Sequence, residues 1–269
     1  MSFAEKYGPW ALITGASEGT GAAFARQIAA QGVNLILVAR REGPLAELAG
    51  QVRALGVECV TASVDLSRTD AAEKIAAAAG NREIGLFIAN AGADTNGSNF
   101  LQTEAENWDQ LININVVTTM RNCHHFAGPM KQRGRGGIII VGSGACYGGL
   151  SGLAVYCGAK AFALAFGEGL WAELRHHGVE VLNLILGRTD TPAHRKILEE
   201  SGQPLPTNWA DPEDVARLGL ERLPHGPIQN WGETDDTVGM SPNSPAQRRA
   251  KILMIEQMSA AYAAPKQDA

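Results

Sequence analysis

The sequence predicts a single α/β domain in which a parallel sheet carries helices on both faces. Short apolar runs alternate with segments of helical periodicity from residue 10 to residue 186, and this alternation is typical of parallel strands joined by helical crossovers. A glycine-rich turn separates the first apolar run from the first helical segment. With 269 residues and 45% hydrophobic content, the chain can bury a full core.

The first element is a strand at residues 10–13, and the glycine turn of residues 14–21 follows it directly. Apolar residues then recur at helical spacing from Ala22 to Ala29. In such a turn one glycine permits the tight bend, one lets the backbone approach a pyrophosphate, and one allows close helix packing. A glycine loop alone is weak support, but this one has a strand before it and a helix after it. The candidate cofactor-binding residues here are Gly15, Ser17, Glu18, Gly19, Thr20 and Gly21.

The second strand, residues 34–38, ends at Ala39, Arg40 and Arg41. A site for NAD needs a carboxylate here to bind the ribose 2′-hydroxyl, whereas a 2′-phosphate favours arginine. Ala39 supplies no acid, so we predict NADP(H) as cofactor, held by Arg40 and Arg41. The alternative is that both arginines are merely solvated.

The remaining strands are predicted at residues 59–64, 86–89, 138–141 and 179–186, and helices at 70–79, from Thr103 onward, and at 156–176. Thr103 with Glu106 forms a capping-box pattern. Asp211 followed by Pro212 is typical of a helix start. The fold class is therefore a Rossmann fold, a doubly wound parallel sheet of about seven strands.

Residues 231–269 have a different composition, and we interpret them as a C-terminal helical appendage on one domain that spans residues 1–269. A helix is predicted from Ser244, with an apolar stripe at Ile252, Ile255, Met258 and Tyr262. An exposed stripe of this kind needs a cover. We expect it to pack on the substrate entrance or on a neighbouring subunit.

Charge and cysteine usage narrow the classes of ligand. The net charge is -5, which provides no basic surface for nucleic acid or an anionic membrane. No apolar run approaches the ~20 residues that cross a bilayer. Cys59, Cys123, Cys146 and Cys157 lack C-x-x-C spacing, so we expect reduced thiols, no metal site and a cytoplasmic protein with a small-molecule ligand.

Tyr156 precedes Lys160 by four residues, which places a phenol and an ammonium on one helix face. A phenol has a pKa of about 10, and a nearby cation should lower it towards neutrality. Ser143 lies thirteen residues upstream, after a buried strand, and Asn115 lies in an apolar helical stretch where its amide needs a partner. A plain surface Tyr–Lys pair, a turn-capping serine and a hydrogen-bonded structural asparagine are the alternatives. The combination favours an acid–base site.

Taken together, these motifs resemble the short-chain dehydrogenase/reductase superfamily from about Tyr7 to Gly232. The resemblance implies a catalytic tetrad of Asn115, Ser143, Tyr156 and Lys160. It also implies cofactor contacts from Tyr156, Lys160, Asp65, Leu66, Asn90, Ala91, Gly92, Gly187, Thr189 and Thr191. Two positions depart from the usual pattern, because Thr20 replaces an aliphatic residue and Leu186 replaces the proline before Gly187.

More narrowly, residues 5–8, Glu18, residues 113–118 and the histidines at 124 and 125 are similar to bacterial 7β-hydroxysteroid dehydrogenases. That similarity implies an NADP(H)-dependent alcohol dehydrogenase or ketone reductase for a bulky, apolar substrate. Two alternatives stay open. One is a 3-oxoacyl-carrier reductase that docks an acidic carrier on basic residues, namely Arg121, Lys131, Arg133 and Arg135; the other is a non-catalytic NADP(H)-binding sensor.

Members of the superfamily commonly associate through their fourth and fifth helices. Small residues that permit close helix contact occur in the segment that carries Tyr156, and they are Gly158, Ala159, Ala163, Gly167 and Gly169. We therefore expect a homodimer or a homotetramer.

Overall fold

The computed structural model describes residues 1–94, 96–200, 202, 204–207, 209–232 and 245–262, without the side chains at 197, 200, 251 and 255–262. Seven parallel strands form one sheet in the order β3-β2-β1-β4-β5-β6-β7, which confirms the predicted class. The strands are β1 Trp10–Thr14, β2 Asn34–Ala39, β3 Cys59–Ser63, β4 Ile84–Ala89, β5 Gly136–Ser143, β6 Val179–Leu186 and β7 Ile228–Asn230.

The helices are α1 Phe3–Tyr7, α2 Gly19–Ala30, α3 Glu42–Arg53, α4 Ala71–Ala79, α5 Ala105–Ile112, α6 Thr118–Arg133, α7 Ala154–Leu174, α8 Pro192–Glu200, α9 Pro212–Arg222 and α10 Pro245–Tyr262. Alternate strand residues point to opposite faces of the sheet. Ile13, Leu37 and Ile88 pack on the face covered by α1, α2, α3 and α9. Leu12 and Phe87 pack on the other face, against α4, α6 and α7.

The sheet order reverses at β1, which lies between β2 and β4. In an open α/β sheet, ligands bind outside the carboxyl ends of the strands at such a switch point. The segments that follow β1, β4, β5 and β6 converge there, and they carry the predicted site residues.

The predicted capping box at Thr103 is wrong, whereas the helix start at Asp211 is confirmed. Helix α5 begins at Ala105 without a side-chain cap, because the Thr103 hydroxyl is hydrogen-bonded to Ser98 instead. Asp211 accepts a hydrogen bond from the Glu213 amide at 2.8 Å. The long helix is also interrupted, since the π-helical turn Asn113–Val117 joins α5 to α6.

The small residues of α7 divide between two faces, which corrects the expectation that all five serve subunit contact. Ala159 and Ala163 are buried, and a Cβ on Gly167 would lie 2.4 Å from Asn183 Oδ1. These three residues allow α7 to pack closely within the subunit. Gly158 and Gly169 are exposed and have open space beside them.

Helix α10 begins at Pro245, as the sequence predicts, and its described part contacts α7 and β7. Arg248 forms an ion pair with Glu168 of α7, and Arg249 Nε donates to the Gly226 carbonyl at 2.9 Å. Ser244 and the side chains of Ile255, Met258 and Tyr262 lie outside the described residues. Within the described part of the chain, no helix is both long and apolar enough to span a bilayer.

Candidate active site

The turn after β1 forms a backbone-lined cradle at the start of α2. Gly15 has φ +66°, and a Cβ there would lie 2.9 Å from Ala91 Cα. Gly19 has φ +53°, and a Cβ on Gly21 would lie 2.2 Å from the Gly15 carbonyl oxygen. A left-handed conformation costs an L-residue about 1–2 kcal/mol. The cradle therefore requires glycine, and its position at a helix N-terminus fits a pyrophosphate.

Asn90 supports this cradle from behind. Its Nδ2 donates to the carbonyl oxygens of Thr14 at 3.1 Å and Gly15 at 3.0 Å. The Ala91 amide donates to Thr14 Oγ1 at 3.3 Å. The segment after β4 is thus tied to the segment after β1, and Ala91 and Gly92 line the groove between them.

The end of the groove beside β2 carries both predicted arginines. Both line the groove, but Arg41 forms an ion pair with Glu18, whereas Arg40 lies near Asp65. Partial burial opposes ionisation of Asp65, but hydrogen bonds from Ser67 and the charge of Arg40 outweigh it and lower its pKa. This end therefore offers the Arg40 guanidinium to a ligand.

The other end holds the residues predicted for acid–base chemistry. Ser143 ends β5, and its hydroxyl lies close enough to Tyr156 on α7 to act on the pKa of that phenol. Lys160 Nζ lies 5.6 Å from the centroid of the Tyr156 ring and donates to the Val141 carbonyl at 3.3 Å. Burial lowers the pKa of Lys160 to about 8.

The expectation that Lys160 brings the Tyr156 pKa towards neutrality is not met. Burial of Tyr156 is the largest influence and raises its pKa, and the hydrogen bond with Ser143 opposes that rise. The carboxylate of Asp94 adds to the rise. The net direction is upward because desolvation penalises the phenolate.

Asn115 lies in the π-helical turn beneath the groove and is buried. Its Nδ2 donates to the carbonyls of Leu111 at 3.0 Å and Ala93 at 3.2 Å, but among the described residues nothing donates to its Oδ1. A Cβ on Gly92 would lie 2.6 Å from this Oδ1 and 2.8 Å from Lys160 Nζ. The unsatisfied oxygen and the ammonium therefore converge on Gly92.

The segment after β6 closes the groove. Thr189 is buried, and its Oγ1 makes no hydrogen bond within the described residues. Thr191 Oγ1 accepts a hydrogen bond from the His194 amide at 3.2 Å. A buried hydroxyl without a partner costs about 1–3 kcal/mol, so the Thr189 hydroxyl fits a ligand group such as a nicotinamide carboxamide.

The family model for short chain dehydrogenases matches residues 9–202. The chain belongs to this family. A 7β-hydroxysteroid dehydrogenase from Clostridium sardiniense is 33% identical over 224 residues, which are 83% of this chain and 85% of the relative. This dehydrogenase is thus an oxidoreductase that acts on CH–OH groups with a nicotinamide cofactor.

Solved structures extend the comparison to nearly the whole chain. A structure described as giving insights into 7β-hydroxysteroid dehydrogenase stereoselectivity has a TM-score of 0.81 and 30% identity, and the match covers 95% of this chain and 100% of that one. A short-chain dehydrogenase from Sphingobium yanoikuyae in complex with NADPH has a TM-score of 0.77 and 27% identity, with 97% and 98% covered.

Most of the predicted site residues of this dehydrogenase line one continuous groove. Gly21 and Asn115 are the exceptions, since they lie beneath the lining residues Gly15 and Gly92, respectively. The residues that line the groove are Gly15, Ser17, Glu18, Gly19, Thr20, Arg40, Arg41, Asp65, Leu66, Asn90, Ala91, Gly92, Ser143, Tyr156, Lys160, Gly187, Thr189 and Thr191.

Sequence reasoning missed two residues near the tetrad. His194 lines the groove from α8, and no local pattern marks it. Asp94 places a carboxylate close enough to influence Tyr156. Asp94 lies two residues after the predicted cofactor-binding residues 90–92, and this position could have marked it as a site residue.

Proposed function

We propose that the protein is an NADP(H)-dependent oxidoreductase that interconverts a secondary alcohol and a ketone on a bulky, apolar, hydroxysteroid-like substrate. The observation that carries this proposal is that Ser143, Tyr156 and buried Lys160 line the same end of a groove that suits a dinucleotide. The names of the relatives support the substrate class.

Tyr156 is the general acid in ketone reduction and the general base in alcohol oxidation. The bound cofactor supplies or accepts the hydride. The raised pKa keeps the phenol protonated at neutral pH, which suits proton donation to the substrate oxygen. The Ser143 hydroxyl accepts a hydrogen bond from the Ala145 amide at 3.3 Å, which fixes its oxygen. Its proton favours the Tyr156 oxygen in the free protein and donates to the substrate oxygen when substrate is bound.

Lys160 and Asn115 return a proton to Tyr156 after it has protonated the substrate oxygen. A water molecule between Asn115 Oδ1 and Lys160 Nζ would satisfy an oxygen that is otherwise unpaired among the described residues. A lysine with a pKa of about 8 exchanges protons readily near neutrality. Lys160 therefore links the phenol to bulk solvent through that water.

Exposed apolar side chains in the segments that follow β4 and β5 support a bulky apolar substrate. Leu101 is 91% exposed, and Phe100 and Leu150 are exposed by more than half. The segments that carry them are joined by a hydrogen bond of 3.4 Å between Ser151 Oγ and Asn99 Oδ1. Apolar groups held in water, on segments that follow the strands carrying the site, favour a ligand that covers them.

The cofactor is NADP(H) because the end of β2 offers a guanidinium and no carboxylate for the ribose. Ala39 has no acidic group, and Arg40 lines the groove. Asp65 lies near Arg40 but also accepts hydrogen bonds from Ser67 at 2.7 and 3.0 Å.

The two alternatives have less support. Three of the four basic residues proposed for carrier docking are paired with acids, since Arg121 contacts Glu73 and both Arg133 and Arg135 contact Glu83. A sensor without catalysis has no need for a complete tetrad.

We place the enzyme in the cytoplasm because all four cysteines are free thiols.

The test is NADPH consumption with three substrate groups: hydroxysteroid-derived ketones, small diketones and 3-oxoacyl thioesters. We expect turnover with the ketosteroids and at least tenfold lower kcat/KM with the thioesters. A tenfold ratio corresponds to a difference of about 1.4 kcal/mol in transition-state stabilisation. Faster turnover of carrier-bound thioesters would support the reductase alternative. No turnover, together with tight NADPH binding, would support the sensor.

A further inference from the structure

A shielded ion pair joins the C-terminal helix to the helix that carries the catalytic tyrosine. Arg248 of α10 contacts Glu168 of α7 through two atom pairs, and Nη2 lies 2.8 Å from Oε2. The side chains are only 22% and 12% exposed. Removing one partner of such a pair leaves a poorly solvated charge behind, so this contact is a strong constraint on α10.

The pair lies close to the turn that follows Ser143. Glu168 is two helical turns after Lys160, with Leu164 between them on the same face of α7. The Cys146 side chain packs against Leu164 in an apolar cluster. The charges of Arg248 and Glu168 both act on the Cys146 thiol.

That turn, the 3₁₀ segment Gly144–Tyr147, is held at both ends. At its start the Ala145 amide donates to Ser143 Oγ. At its end the Tyr147 hydroxyl donates to Asn230 Oδ1 of β7 at 2.7 Å, and Tyr147 is near enough to Arg248 to contribute to the raised pKa of that guanidinium. The turn that follows Ser143 is therefore packed, through Cys146 and Leu164, on the part of α7 that Arg248 of α10 holds through Glu168.

We propose that Arg248 is a positioning residue, which through Glu168 and the turn Gly144–Tyr147 holds the Ser143 hydroxyl in place for the substrate oxygen. The catalytic consequence rests on the proposed role of Ser143, but the structural coupling does not. The C-terminal helix then acts on catalysis within its own subunit.

Two variants on neighbouring residues of α10 separate this role from general attachment of the tail. Arg248→Gln breaks the ion pair, whereas Arg249→Gln removes hydrogen bonds to the carbonyls of His225 and Gly226 and leaves the ion pair intact. Backbone hydrogen exchange of full-length protein is followed in peptides that cover residues 143–153 and, as an internal reference, residues 10–25. Kinetics are measured with a ketone that the wild-type protein reduces.

We expect Arg248→Gln to accelerate exchange in the 143–153 peptide several-fold, with no change in the reference peptide. It should lower kcat/KM for the ketone about tenfold while the NADPH Kd stays within about twofold. Arg249→Gln should leave both near wild type. The double variant Arg248→Gln/Glu168→Gln, which removes both charges, should recover part of the loss.

Unchanged exchange in Arg248→Gln overturns the coupling, and faster exchange with unchanged kcat/KM overturns the positioning role. Equal effects of Arg248→Gln and Arg249→Gln would show that tail attachment, not the ion pair, is responsible. If no ketone is reduced, the proposed function fails, yet the exchange measurement still decides whether the pair holds the turn.

Discussion

Tyr156 is influenced by neighbours that act on its pKa in opposite directions. Burial and the Asp94 carboxylate raise the pKa, while the hydrogen bond with Ser143 lowers it. The nearest cation, Lys160, is itself destabilised in its charged form by burial. The phenol is consequently kept protonated, as a proton donor to a ketone requires.

Tyr156→Phe should lower kcat by about 10²–10⁴-fold, the usual contribution of a general acid. NADPH affinity, measured by fluorescence titration, should stay close to wild type because only a hydroxyl is lost. Turnover within a few-fold of wild type would contradict the assignment.

Asp94→Asn should lower the Tyr156 pKa because it removes a negative charge that opposes the phenolate. The protonated phenol is then lost at lower pH, so ketone reduction should begin to decline at lower pH and alcohol oxidation should rise at lower pH. The pH profiles of kcat/KM in both directions test this. Asp109→Asn, an exposed change on α5, is the matched control, and identical profiles for Asp94→Asn and wild type would refute the role.

Lys160 imposes a stability cost that depends on pH. Its pKa falls from 10.5 unfolded to about 8 folded, which corresponds to about 3 kcal/mol. Below pH 8 Lys160 is protonated in both the folded and the unfolded protein, so the folded protein carries the full cost of burying the charge. As pH rises from 8 towards 10.5, the folded lysine loses its proton before the unfolded one does, and the free energy of unfolding increases.

Lys160→Met should therefore abolish turnover yet unfold at higher urea concentration than wild type at pH 7. The difference in the free energy of unfolding should shrink as pH approaches 10. A variant that is less stable than wild type at pH 7 would show that the lysine contributes more through contacts than it costs through burial.

At the scale of elements, the two adjacent arginines after β2 differ in the residues that they contact. Both arginines line the groove, but Arg41 is also engaged by Glu18. Sequence alone treats the two as equivalent. If the cofactor is NADP(H), as we propose, we expect Arg40 to be the first of the two to meet the 2′-phosphate.

Arg40→Ala should weaken NADPH binding by about 1.5–3 kcal/mol, the value of a charge-assisted hydrogen bond, and leave NADH binding nearly unchanged. Arg41→Ala, the matched control, should have a smaller effect on NADPH. Dissociation constants for both cofactors decide this. An equal loss for NADPH and NADH in Arg40→Ala would mean that Arg40 does not contact the phosphate.

At the scale of the whole molecule, we expect a second subunit to pack on the outward face of α7. Gly158 and Gly169 leave open space at either end. Phe162 lies between them, 38% exposed and stacked on Phe166 with ring centroids 5.5 Å apart. Small residues that flank an exposed aromatic pair suit close helix contact across a symmetric interface.

Phe162→Asp should reduce the oligomer to a smaller species in light scattering, because a carboxylate would be buried without a partner. Leu55→Asp, which changes a leucine that is 52% exposed just after α3, should leave the mass unchanged. If both variants keep the wild-type mass, α7 is not the interface.

The sequence by itself determined what depends on residues a few positions apart. Strand and helix order follows from hydrophobic periodicity, and the cradle follows from the glycines after β1. The Tyr156–Lys160 pair follows from helical spacing. These features are local, so the tertiary structure confirmed their positions.

Only the tertiary structure decided what depends on burial and on distant partners. The hydroxyl of Thr103 was taken by Ser98, so the predicted cap did not form. The pKa of Tyr156 rose because desolvation outweighs nearby opposing influences. The contact of Arg248 with Glu168 joins residues 80 positions apart, and no local pattern encodes a pairing that exists only when helices from separate parts of the chain meet.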